Sequence, residues 1–511
     1  MRPTRKRGEK IVRAKQKISL LERGNPRAAN AMRKTAETKR ASSWRHRLSK
    51  WIAGHHLRIE LAETARLALP IALTQLGQIA MMATDLAYIG RIGTEAVAAA
   101  ALAGMVLSVG LTFGAGVISA VGPLAAQACG AADAPLVRRS LRMGLWIAVV
   151  LWVPIMALPA HGERIVLALG HGPATARLAQ QYLFGLAWGI LPSLWFLAIR
   201  SFMAAVNRPT PALWITLAAI PINALLAYLL ITGKLGLPQL DLFGAGLATS
   251  LVNCATFLAG LWFVTRCHPF RDYRVLLYLW RFDWPLMRQL IVVGTPISAA
   301  IFMESGLFSA TALLMGVIST TAVAAHQIAF QVTTILFMIS FCIGMAANVR
   351  IGHALGRNDL SAIRRAGLAA ILLGVLIAAI ATLAVIGARF EIAALFVGQA
   401  ASNAGATIEL TAALILVGAS FFMTDALQSI AAGGLRGLKD TRVPLLFAAV
   451  AYWLIGLSLS YVLGFKTGLG AIGIWIGLSI GKAVYAALLV LRLQLLANRP
   501  GFASNRASNQ G

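Results

Sequence analysis

The chain has 511 residues, 58% of them hydrophobic and 13% charged, with a formal net charge of +28. That composition excludes a water-soluble globule, and the absence of alternating strand patterns excludes a β-barrel. Four scattered cysteines (Cys129, Cys254, Cys267, Cys342), with no CxxC and no histidine cluster, exclude a structural zinc site and read as small packing residues.

Residues 1–58 come first and hold 18 of the 46 Lys and Arg, against Glu9, Glu22 and Glu37. No apolar core followed by a cleavage site is present, so this is not a signal peptide. The segment reads as a disordered basic arm on the cytoplasmic side. Binding to anionic lipid head groups is one reading. A solvated tail, or a true start nearer Met32, is the preferred one. The charge excess therefore implies no nucleic-acid partner.

Twelve apolar runs follow, each near the 20 residues that cross a ~30 Å hydrocarbon core. They fall at 64–89, 98–126, 139–160, 177–204, 211–232, 243–265, 286–315, 322–348, 366–388, 407–432, 443–464 and 470–494. The expected fold is an all-α membrane protein with two six-helix lobes, residues 59–265 and 286–497. A charged, aromatic linker (266–285) carrying Trp280 and, just beyond it, Trp284 separates the lobes, and 498–511 form a tail. Loops assigned to the inside carry seventeen basic residues, from Arg138 through Arg200 and Arg350 to Arg442. The outer loops carry six: Arg91, Arg164, Arg177, Lys234, Arg389 and Lys466. This bias places both termini in the cytoplasm.

The second lobe repeats the first at an offset of 226 residues. Pro70 maps onto Pro296, Gly90 onto Gly316, Gly130 onto Gly356 and Asp133 onto Asp359. Six helices separate equivalent points, so the lobes share one orientation, a parallel repeat with its axis along the membrane normal. Two such lobes around a cavity are the architecture of an alternating-access carrier.

Acids are scarce, 18 in all; most sit at segment ends, and three stand inside long apolar stretches: Asp85, Glu304 and Asp425. Intramembrane carboxylates are expensive and rarely structural. Glu304 lies eight residues after Pro296, about 12 Å along a helix and so well inside the bilayer. Asp425 is followed one turn on by Gln428 and Ser429. The pair either coordinates a hard cation such as sodium through oxygen or shares a proton. Asp85 lies near the end of the first span, where a cap or interfacial acid is the competing reading. Asn223 is a polar neighbour that could share its site. Lys482, near the middle of the last span, either snorkels or pairs with an acid. His326 reads as a hydrogen-bonding residue. No ATP-binding loop, HExxH motif or soluble catalytic domain is present, so no enzyme is expected.

Four stretches together resemble the multidrug and toxic compound extrusion (MATE) family, in its bacterial NorM-like branch. They are 70-PIALTQLGQIAMMATDLAYIGRIG-93, 324-AAHQIAFQ-331, 349-VRIGHALGRND-359 and 433-GGLRGLKDTRVP-444, and the resemblance runs from about 60 to 497. It implies two six-helix bundles forming a V in the bacterial inner membrane. It further implies export of organic, mainly cationic, compounds against inward sodium or protons, by a monomer surrounded by lipid and without a bound cofactor. Glu304 and Asp425 match the family's acids in the second lobe and Asp85 its acid in the first. Asn223 and Thr249 match polar ligands beside Asp85. Two positions depart from the pattern. Phe421 stands where relatives place a Tyr beside the cation, and Ala227 where they carry Asn or Asp. Each swap removes an oxygen ligand, which tilts the coupling ion toward the proton and ranks Asp85 behind the other two acids. A flippase of lipid-linked anionic precursors, within the same superfamily, is the alternative; it would line its cavity with several Arg or Lys. A non-transporting scaffold gives no reason to bury three acids.

Overall fold

A computed structural model describes residues 55–234, 236, 238–397 and 404–498. The expectations for the basic leader up to residue 54 and for the tail after 498 lie outside these residues. Twelve helices among them are long and apolar enough to cross a membrane, and no strand occurs. In the first lobe they are α1 (Arg58–Gly90), α2 (Thr94–Gly130), α3 (Ala134–Ala160), α4 (Pro173–Ala205), α5 (Thr210–Thr232) and α6 (Asp241–Arg266). The second lobe contains α7 (Trp284–Ile318), α8 (Thr320–Gly356), α9 (Leu360–Gly387), α10 (Gly405–Gly437), α11 (Arg442–Phe465) and α12 (Gly470–Asn498).

Each expected span matches one membrane-crossing element, α2 being interrupted by a turn at Ser119–Ala120, and most elements run further than hydropathy indicated. Hydropathy marks the hydrocarbon, whereas a helix continues until a cap takes up its free backbone groups. The span expected at 322–348, for example, belongs to a helix that begins at a Ser319 cap, whose hydroxyl accepts the Ala322 N–H at 3.0 Å. Arg200, assigned to a cytoplasmic loop from sequence, lies inside α4. Two short helices, Gly162–Ala168 and Arg389–Val397, were not anticipated. They follow α3 and α9, so they extend the repeat.

The repeat also governs the helix starts. Asp133 caps α3 by accepting the Leu136 N–H at 2.9 Å, and its counterpart Asp359 caps α9 through the N–H groups of Ser361 and Ala362, both at 3.0 Å. The residue before each cap is left-handed, Ala132 with φ 57° and Asn358 with φ 55°. The second lobe encloses its own apolar core, the core of the first also takes in Leu286, Leu290, Val293 and Ile297 from the start of α7, and a third cluster crosses between lobes through Leu67, Ala126, Ala205, Ala346 and Ile430.

The lobes meet at the end that carries residues 130–134 and 356–360. Gly130 lies against the backbone of His353, and Gly356 against that of Gln127, with no room for a Cβ at either place. Gln127 and His353 are themselves a repeat pair. The Gln127 Nε2 donates to the Gly437 carbonyl at 2.8 Å, and His353 Nε2 lies 2.6 Å from the Ala205 carbonyl. Both carbonyls end equivalent helices, α10 and α4, so the bonds form a symmetric pair across the seam. The linker is held on α3: Arg142 donates to the Tyr278 carbonyl at 3.0 Å, Trp146 to that of Leu279 at 3.0 Å, and Arg139 pairs with Asp283 at 3.2 Å. Trp280 and Trp284 remain exposed.

The cap at Asp359 gives a test of the repeat's role in stability. Hydrogen bonds from the Ser361 hydroxyl and from the Ala362 N–H hold its carboxyl below its ordinary value of 3.8. Because the folded value lies below the unfolded one, its contribution is present above that range and is lost as pH falls through the folded value. Asp359→Ala is expected to cost about 1 kcal/mol at neutral pH. The check is thermal unfolding in detergent, where the gap from the parent chain should close as the pH is lowered below about 4.

Candidate functional site

Each lobe buries a polar cluster, and the two clusters are compensated differently. In the second lobe, α10 supplies three groups on one face, because Phe421, Asp425 and Gln428 follow the four- and three-residue spacing of a helix. α7 supplies Glu304 and, one turn on, Phe308. α12 supplies Lys482, whose ammonium lies between the two acids, 2.8 Å from Glu304 Oε1 and 2.7 Å from Asp425 Oδ1. Gln428 Nε2 donates to the same Glu304 oxygen at 2.9 Å.

Rings complete the cluster. Lys482 Nζ lies 4.4 Å from the centre of the Phe421 ring, 4.8 Å from Phe308 and 6.0 Å from Phe337 of α8. A buried ammonium donates to oxygens on one side and is attracted by ring faces on the others. The Lys482 side chain is 1% exposed and that of Asp425 4%, whereas Glu304 keeps 23%. Two carboxylates against one ammonium leave one negative charge uncompensated when all three are ionised. Asp425 also lines a small pocket with Phe337, Ser340 and Phe422.

Sequence analysis offered sodium at Glu304 and Asp425. The residues present do not fit that ion as they stand. The place between the two carboxylates is taken by Lys482, and Phe421 presents a ring rather than a phenol oxygen. Sodium would have to enter beside a fixed positive charge.

In the first lobe, α1 brings Asp85 to α5 and α6. Asn223 Nδ2 donates to Asp85 Oδ1 at 2.5 Å, and the Thr249 hydroxyl to Oδ2 at 3.1 Å. Asp85 is 9% exposed and Asn223 fully buried. α1 continues past Asp85 to Gly90, so the carboxylate is neither a helix end nor a cap. Among the described residues no basic group pairs with it, and Asn223 Oδ1 has no hydrogen-bond partner. Ala227, one turn beyond Asn223, is fully buried in apolar packing.

Three further polar groups settle elsewhere. Lys482 pairs with acids rather than reaching the interface. The indole of Trp475 donates to His326 Nδ1 at 3.1 Å, so this histidine serves as a buried acceptor. Arg200 donates to Gln75 and Gln78 of α1 at 2.8 and 2.9 Å. Sequence reasoning singled out neither Phe308 nor Phe337. The spacing of Phe308 from Glu304, four residues on one helix face, was a signal for the first. Phe337 comes from a separate helix and left none.

A family profile described as MatE matches residues 70–229 and again 296–462, two matches offset by the repeat length. The chain is 60% identical over 445 residues to the protein named "Probable multidrug resistance protein NorM" of Bradyrhizobium diazoefficiens, covering 87% of this chain and 95% of that one. It is 56% identical over 439 residues to the protein of the same name from Rhodopseudomonas palustris, covering 86% and 92%. Among solved structures, "Outward-facing conformation of a multidrug resistance MATE family transporter of the MOP superfamily" superposes with a TM-score of 0.78 at 18% identity, covering 87% of this chain and 98% of that one. The last likeness shows the fold alone. With twelve membrane-crossing helices in two repeated lobes, a profile matched once in each, and relatives this similar, the chain is a multi-pass membrane transporter and belongs to the MatE family.

Proposed function

We propose that this chain exports a range of organic compounds, mainly cations, from the cytoplasm in exchange for protons. The relatives named for multidrug resistance support the substrate range. One observation carries the exchange: Asp85 is a buried carboxylate whose partners, Asn223 and Thr249, are both neutral. Such a group gains a full counter-charge from whatever cation or proton reaches it. A proton and an organic cation cannot both neutralise one carboxylate. Competition of that kind couples the two flows in opposite directions.

The lobes would alternate access by moving as parallel halves about the seam of Gly130, Gln127, His353 and Gly356. The basic bias of the loops puts that seam on the cytoplasmic side of the bacterial inner membrane, with both termini inside. The described arrangement, joined at the seam, then corresponds to a cavity facing outward. Both lobes and both acid clusters lie in one chain, which suffices for a monomer.

The flippase alternative gains no support from the geometry. Lys482 is matched by two acids, and Arg200 by two amides. Neither basic group is left over in the numbers a polyanionic head group demands.

Asp85→Asn is expected to lower proton-driven uptake of ethidium into everted vesicles about 10-fold or more at matched protein levels. The ranking from sequence put this change behind those at Glu304 and Asp425. The neutral surroundings of Asp85 reverse that order, because the other two acids already hold a cation. Wild-type rates in Asp85→Asn would sink the exchange reading.

A second expectation concerns the driving ion. At clamped pH an imposed sodium gradient should leave efflux unchanged, and a protonophore should abolish it. Efflux that follows the sodium gradient and survives the protonophore would overturn proton coupling.

A further inference from the structure

Lys482 is an intramembrane cation that the exchange reading does not use. Its surroundings are those of a cation-binding site: two carboxylate oxygens at 2.7 and 2.8 Å, and ring centres at 4.4 and 4.8 Å. Gln428 turns its amide N–H toward Glu304, and its side chain, 3% exposed, has the buried Tyr452 hydroxyl as its other polar neighbour. A free ion in such a place would exchange with solvent. A lysine on the same chain does not leave, and its tether gives it a high effective concentration at the site.

We propose that Lys482 is the resident cation of the second-lobe site and sets ion specificity by excluding sodium from Glu304 and Asp425. The chemistry of the cage favours an ammonium over sodium on two counts. Phenyl faces attract an alkylammonium, whose stem also packs against them, whereas sodium asks for five or six oxygens, by analogy with other hard cations. The position where a Tyr would have supplied a phenol oxygen is Phe421, whose ring is the nearest to the ammonium. The ring and the lysine thus act together. Removing the charge of Lys482 while keeping the acids should expose a set of oxygens from Glu304, Asp425 and Gln428 that a monovalent metal ion can use.

The inference rests on the reading of the acid clusters as exchange sites, yet it is tested by binding alone. The full chain, purified in detergent, is unfolded thermally in sodium chloride and in choline chloride at equal ionic strength. The parent chain and Lys482→Arg, which keeps the charge, should unfold at the same temperature in both salts. Lys482→Met and Lys482→Gln should be raised by about 3 °C or more in sodium, because an ion that binds only the folded state stabilises it. Lys482→Gln retains a hydrogen-bond donor between the acids and serves if Lys482→Met does not fold. Adding Asp425→Asn to either should remove the sodium shift. In vesicles, the same two neutral variants should gain at least a roughly threefold stimulation by sodium at clamped pH, by the same linkage.

Sodium indifference in both neutral variants would overturn the proposal, as would a sodium shift in the parent chain or in Lys482→Arg. The thermal measurement needs no transport. A chain that exports no organic cation would defeat the exchange reading and still leave the role of Lys482 decided.

Discussion

A charge in the hydrocarbon layer must be met by a partner, and that demand orders the interior of this protein. Leaving one member of a buried pair alone costs about 3–5 kcal/mol, a large share of the stability of a fold. Lys482 therefore requires Glu304 and Asp425, and their arrangement fixes α12 against α7 and α10. Arg200 ties α4 to α1 through two amides. Asp85 ties α1 to α5 and α6 through an amide and a hydroxyl. Each lobe is thus pinned by polar contacts at depth, and the apolar cores close around them.

The repeat supplies one scaffold twice, and the chemistry placed on it differs. At the repeat offset Glu304 corresponds to Gln78, and Asp85 to Thr311. The position that in the second lobe holds an acid for a lysine holds, in the first, an amide for an arginine. Symmetry survives where backbone meets backbone. The Gly130–His353 and Gly356–Gln127 contacts are images of each other, as are the bonds to Ala205 and Gly437. Close packing tolerates little variation at such a seam. The polar positions are free of that restraint, and there the lobes diverge.

Much of this was legible in the sequence, for stated reasons. Twelve spans and the repeat followed from hydropathy and from Pro, Gly and Asp at one constant spacing. The three acids stood out because acids are scarce. Asn223 and Thr249 were placed beside Asp85 by resemblance to the family, and the structure brings the three together. What stayed hidden depends on long-range geometry. Lys482 was visible as an anomaly, but its partners lie 57 and 178 positions away, and one sequence carries no record of that pairing. The short helices after α3 and α9, seven and nine residues long, were lost because their apolar residues abut the neighbouring spans. Arg200 was placed in a loop because charge near the end of a span usually marks the interface.

Phe421 shows how one residue changes meaning once its neighbours are known. Read alone, the ring is a missing oxygen and the site a poor chelator. Beside Lys482 it becomes one wall of a cage around an ammonium that is already present. A phenol in that place would add an oxygen near a charge that two carboxylates already satisfy. The phenyl adds a face that attracts the cation without competing for its hydrogen bonds. Lys482 in the last span and the phenylalanine at 421, where the resemblance implies a tyrosine, therefore form one compensated arrangement. In the first lobe Arg200 is held by Gln75 and Gln78, and among the described residues no basic group pairs with Asp85, so its carboxylate is left as the group whose charge has still to be met.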